Sequence, residues 1–115
     1  MESKNIHVLS FKYAFAGVVS ALKQEPNLKF HFLAGVVAII ISFFLQISRS
    51  EWIVIIFLIG FVISLELTNT AIEAVVDHVI QTNHPGAKLA KDISAGAVLV
   101  AAATAATIGA IIWIT

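Results

Sequence analysis

WIVIIFLIGFVISLELTNTAIEAVVDHVI, running from Trp52 to Ile80, is the stretch that decides the fold. Its first half, Trp52 to Ile63, is apolar throughout, and no proline interrupts the whole. A continuous helix is therefore predicted over about 51–80, a rod of about 44 Å against a hydrocarbon core of about 30 Å. The far end of such a rod must project into water. That end is also where the polar residues are. At about 100° per residue, Glu66, Asn69, Glu73 and Asp77 fall within an arc of about 80°, so three carboxylates and an amide form one ridge. Glu66 lies about 22 Å along the helix from Glu51, inside the hydrocarbon. An acid at that depth costs about 2.5–3.5 kcal/mol even on the mild insertion scale, so it persists where it is paired or functional.

Working outward, two further apolar runs flank this helix. Phe30 to Ile47 is broken only by His31, Ser42 and Gln46, giving a span over about 28–47. After the turn formers Asn83, His84, Pro85 and Gly86, a helix over about 87–114 carries no charge beyond Asp92. Its Ala97, Ala101, Ala105 and Gly109 recur every fourth residue, the spacing that lets membrane helices approach closely, within the chain or between copies. Ahead of all three spans, Phe11, Phe15, Val18 and Leu22 form an apolar stripe at helical spacing. They predict an amphipathic surface helix over about 6–25, closed by Pro26. The expectation is an all-α membrane protein, residues 1–115 forming one integral-membrane domain.

Composition agrees and excludes several alternatives. The chain has 115 residues, 59% hydrophobic and only 12% charged, far too few charges for the surface of a small soluble domain. Seven basic residues balance seven acidic ones, which removes the basic footprint of a nucleic-acid binder. No cysteine is present, so disulfides, thiolate zinc sites and a cysteine nucleophile are excluded. Nothing in the first 28 residues reads as a removable signal peptide. Lys4, Lys12, Lys23 and Lys29 precede the first span and Lys88 and Lys91 separate the second from the third, whereas Arg49 lies on the opposite side. This bias predicts the N-terminus inside and the C-terminus outside.

The usual phosphate-binding and hydrolase motifs are missing. Phosphoryl transfer, however, needs mainly positioning, hard oxygen ligands for Mg²⁺ and cations facing the phosphates. Glu73 and Asp77 offer such oxygens, Lys88 and Lys91 such cations, and Glu25 stands at the same predicted boundary. The run from Glu66 to Asp77, followed by Ala87-Lys88-Leu89-Ala90-Lys91-Asp92 about fourteen residues on, resembles the small bacterial diacylglycerol kinase and undecaprenol kinase family. Tyr13, Gly17 and the Glu25-x-Asn27-x-Lys29-x-His31 pattern extend the likeness over essentially residues 10 to 110.

The resemblance implies a multi-pass kinase of the bacterial cell membrane, working on its cytoplasmic side with ATP, Mg²⁺ and a membrane lipid alcohol. Glu66 matches the proposed general base, and Glu25 and Glu73 match the metal-binding carboxylates. Tyr13, Glu25, Asn69, Glu73, Asp77, Asn83, His84, Lys91 and Asp92 match positions that contact or organise ATP. A homotrimer with shared sites is implied as well. The Asn27 to His31 pattern and the His84-Pro85 turn look like the Gram-positive branch, which favours undecaprenol over diacylglycerol.

The residues alone also admit blander readings. The acidic ridge could serve a cation pathway or an accessory subunit, but Trp52 to Gly60 and Ala97 to Ala103 hold no polar residue along the outer depth of such a path. His31 reads as an interface residue, His7 and His78 as surface residues, and Trp52 and Trp113 as interface anchors. Lys88 doubles as a topology signal.

Overall fold

The computed structural model describes residues 6–115, with side chains from Ser10 onward, so Lys4 and the His7 side chain lie outside the described part. Four helices follow one another: α1 (Ile6–Gln24), α2 (Pro26–Leu45), α3 (Arg49–Val79) and α4 (Pro85–Ile114). The last three are long and apolar enough to cross a membrane.

Each boundary has a local cause. Pro26 forces the residue before it out of helical geometry, and Glu25 is extended at φ −109° and ψ 109°. The same proline, with its φ already fixed, then opens α2 at its first turn. At the other end Gln46 turns left-handed at φ 54°, its N–H bonds the Phe43 carbonyl at 3.2 Å, and the Ile47 N–H returns to Ser42 at 3.4 Å. α3 starts in a capping box: the Ser48 N–H donates to Glu51 at 2.9 Å and the Glu51 N–H donates to Ser48 Oγ at 3.2 Å. α4 starts at Pro85, with His84 Nδ1 accepting from the Ala87 N–H at 3.1 Å.

α3 is the central element. α4 packs along it most extensively and α2 less so, while α2 and α4 meet only weakly. The buried residues of α3 are Ile55, Leu58, Val62, Glu66 and Asn69, one continuous stripe at steps of three and four. The acidic ridge is thus the continuation of the apolar packing stripe. On α2 the buried positions are Leu28, Gly35 and Ser42, seven apart. Gly35 is a close approach to α3, since a Cβ there would stand 3.0 Å from Ile59 Cγ2. The small-residue stripe of α4 is covered unevenly: Ala101 and Gly109 are buried, Ala105 half-buried and Ala97 exposed.

Because α2 and α4 lean on α3 without closing on each other, an apolar groove of about 460 Å³ remains between the three helices. His31 lines one part of it and Trp113 another. Trp113 is more than an interface anchor, for its indole N–H donates to the fully buried Ser42 Oγ at 2.9 Å, tying α4 to α2.

Candidate active site

The ridge on α3 is graded in exposure. Glu66 and Asn69 are buried, Glu73 is half-buried and Asp77 is exposed. Eleven residues separate the first from the last, about 16 Å of helix, so one face leads from the sealed interior to solvent.

At the sealed end His31 of α2 faces Glu66, Nδ1 to Oε2, at 2.5 Å. The contact meets the distance of a charge pair but not the angular requirement of a hydrogen bond, and neither atom has another polar partner. Asn69 Oδ1, one turn further, is buried with no partner among the described residues, where buried amide oxygens are ordinarily satisfied.

At the open end Lys91 of α4 donates to Asp77 of α3 at 2.7 Å, joining the two helices. Lys91 stands ahead of the uncharged stretch that begins at Ile93. Glu73, one turn before Asp77 on the same face of α3, and Asp92, next to Lys91 on α4, add two further carboxylates at this end. Asp92 is engaged by Lys88 at 2.8 Å, an exposed contact one turn apart.

Glu25 occupies the α1–α2 joint, half-buried and making no side-chain cap bond. Neither Glu25 nor Glu73 enters any of the three ion pairs found among the described residues. Those residues contain no cluster of three or more His, Cys, Asp or Glu side chains that could hold a metal. Two carboxylates are nevertheless a sufficient protein contribution to a Mg²⁺ whose other ligands are phosphate oxygens and water, so the donor chemistry fits. Tyr13 is exposed on α1, Asn83 lies in the exposed turn, and His84 spends its Nδ1 on the α4 cap.

The sequence model of the family described as prokaryotic diacylglycerol kinase matches residues 12–113, nearly the whole chain. The chain belongs to the prokaryotic diacylglycerol kinase family. The undecaprenol kinase of Bacillus subtilis (strain 168) is 43% identical over 105 residues, covering 91% of this chain and 85% of that protein. A diacylglycerol kinase of Synechocystis is 41% identical over 103 residues, covering 89% of this chain but 59% of the relative. The chain thus matches a little over half of that longer protein. A diacylglycerol kinase of Pseudomonas aeruginosa is 38% identical over 89 residues, covering 77% of this chain and 72% of the relative.

Within this family member, Asp77 is joined to Lys91 and Glu66 to His31, whereas Glu25, Tyr13 and the Asn83–His84 turn make no such contact with the ridge. His31 is the residue that the sequence reading passed over. A signal was available: an acid buried in a bundle needs a partner, and His31 is the one titratable side chain in the apolar run from Phe30 to Ile47.

Proposed function

We propose that the chain is an ATP-dependent lipid kinase whose acceptor is undecaprenol. The observation that carries this reading is the graded α3 ridge, with a carboxylate sealed at one end and a lysine-bearing cluster open to water at the other. A lipid hydroxyl meets a base only at depth, and ATP arrives only from water, so a kinase of membrane alcohols needs both on one face. The undecaprenol kinase likeness at 43% supports the acceptor. Diacylglycerol is the competing acceptor, named for relatives of lower identity.

In this mechanism Glu66 takes the proton of the lipid hydroxyl as its oxygen forms a bond to the γ-phosphorus. The bond from that phosphorus to the β-phosphate oxygen breaks, and ADP leaves. Lys91, oriented by Asp77, faces the phosphate charge, and Asn69, on the same face of α3 between Glu66 and Glu73, has an amide N–H to donate to a phosphate oxygen. Glu25 and Glu73 would hold Mg²⁺, which when bound neutralises phosphate charge. Tyr13, Asn83, His84 and Asp92 complete the nucleotide end. A homotrimer with sites shared between copies belongs to the proposal. It is supported by Asn69 Oδ1, buried with no partner among the described residues, and by spans that bury only 17–28% of their apolar windows within the chain. The charged end, with the N-terminus, lies on the cytoplasmic side of a bacterial cell membrane, as the lysine bias favours.

The test is transfer of the γ-phosphate of ATP to lipid in mixed micelles, offering undecaprenol and diacylglycerol in parallel with and without Mg²⁺. Mg²⁺-dependent phosphorylation of undecaprenol well above diacylglycerol is expected. The reverse preference overturns the acceptor, and transfer to neither by folded protein overturns the kinase.

A further inference from the structure

Beyond the residues assigned above, we infer that His31 is a positioning residue for the general base, holding the Glu66 carboxylate through Nδ1 so that the carboxylate's other oxygen is free for the lipid hydroxyl. The inference rests on the lipid kinase reading and on Glu66 as its base. Its ground is the juxtaposition of a buried carboxylate and a half-buried imidazole from different helices. Nδ1 of His31 and Oε2 of Glu66 are both sealed and face each other, at the point where the buried stripe of α3 passes from the aliphatic Ile55, Leu58 and Val62 to the polar Asn69.

Packing alone gives no reason for this pair. Polar groups inside a bundle cost free energy unless fully satisfied, and apolar residues of similar volume would fill the same space at no such cost. Lysine or arginine opposite Glu66 would fix a permanent ion pair that blunts the carboxylate. An imidazole N–H donating from Nδ1 orients the carboxylate through one oxygen alone. The geometry also distinguishes the two oxygens: Oε2 is the one that faces His31, so Oε1 is the one assigned to take the proton of the lipid hydroxyl. The ring further lines the groove between α2, α3 and α4, next to Phe30 and Ala34, which places it beside any alcohol entering from that side. From α4 the groove is lined by uncharged residues such as Ala102 and Ala105, so Glu66 is the only charged group within ion-pair distance of the ring among the described residues.

Three variants of the full chain test this. His31→Leu removes the donor, His31→Asn places an amide N–H close to the site of Nδ1, and His31→Gln places it near Nε2 instead. In the micelle assay, His31→Leu is expected to lower kcat about 10²-fold, the size of effect produced by misplacing a catalytic group. KM for ATP stays within about twofold, because the Asp77–Lys91 pair at the solvent end lies about 16 Å from Glu66 along α3. His31→Asn is expected to recover most of kcat and His31→Gln much less. Unchanged kcat in His31→Leu overturns the role, as does a parallel loss of kcat and ATP affinity. Equal activity of the Asn and Gln variants also overturns it, since a polar filler would give that result. Should His31→Leu not assemble, the Asn and Gln comparison decides by itself. Glu66→Gln separates the two levels: full turnover in that variant refutes the base and with it the parent reading. Loss there, with unimpaired His31→Leu, refutes only the positioning role.

Discussion

Replacing Trp113 by Phe, Ser42 by Ala, and both together isolates the one side-chain hydrogen bond between α2 and α4 found among the described residues. The indole N–H donates to Ser42 Oγ at 2.9 Å, and Ser42 is fully buried. Interhelical hydrogen bonds in membrane proteins average about 0.6 kcal/mol and reach about 1.7, since the unfolded helices also find partners in the membrane. Burial of the acceptor and the short, well-directed contact place this one in the upper half, about 1–1.7 kcal/mol. Trp113→Phe also removes ring area, costing further stability that the hydrogen bond does not explain. The double-mutant cycle cancels that second contribution. Measured by SDS-induced unfolding in mixed micelles, each single variant should lose more than the coupling energy alone predicts, and the double variant less than their sum by about 1 kcal/mol. Strict additivity, within about 0.3 kcal/mol, would refute the tether and return Trp113 to the role of interface anchor.

Three further outcomes follow from the geometry. Glu73→Gln should abolish Mg²⁺-dependent ATP use while leaving the unfolding midpoint nearly unchanged, because the side chain forms no ion pair among the described residues; full activity across a Mg²⁺ titration would count against it as a ligand. Lys91→Met should raise the KM for ATP by about tenfold or more, and exchanging the charges as Lys91→Asp with Asp77→Lys should restore the helix contact without restoring activity; a restored KM would make the pair purely structural. Gly35→Leu should destabilise by about 1–3 kcal/mol, since even a Cβ there meets Ile59 Cγ2 at 3.0 Å, and Ile59→Ala should recover part of the loss; an unchanged midpoint would refute the close approach of α2 and α3.

Much of the fold was legible because its signals are local. Apolar runs of membrane length, the prolines at 26 and 85, and the Ser48–Glu51 capping box act within a turn or two of themselves. The polar and proline residues just ahead of each apolar run proved to be part of the helices, because caps and first turns need donors and acceptors that composition assigns to loops. The ridge of Glu66, Asn69, Glu73 and Asp77 was likewise readable from helical periodicity alone.

Sequence by itself therefore determined that this is a three-span α-helical membrane protein with a one-sided acidic face and a lysine close behind it, since hydropathy and helical phase depend only on order along the chain. Only the tertiary structure decided which way that face points. It lies along the packing stripe of α3, so Glu66 and Asn69 are enclosed while Asp77 reaches Lys91. Opposite the buried acid stands His31, whose place there depends on α2 approaching α3 at Gly35, a contact between helices that no periodicity within either one encodes.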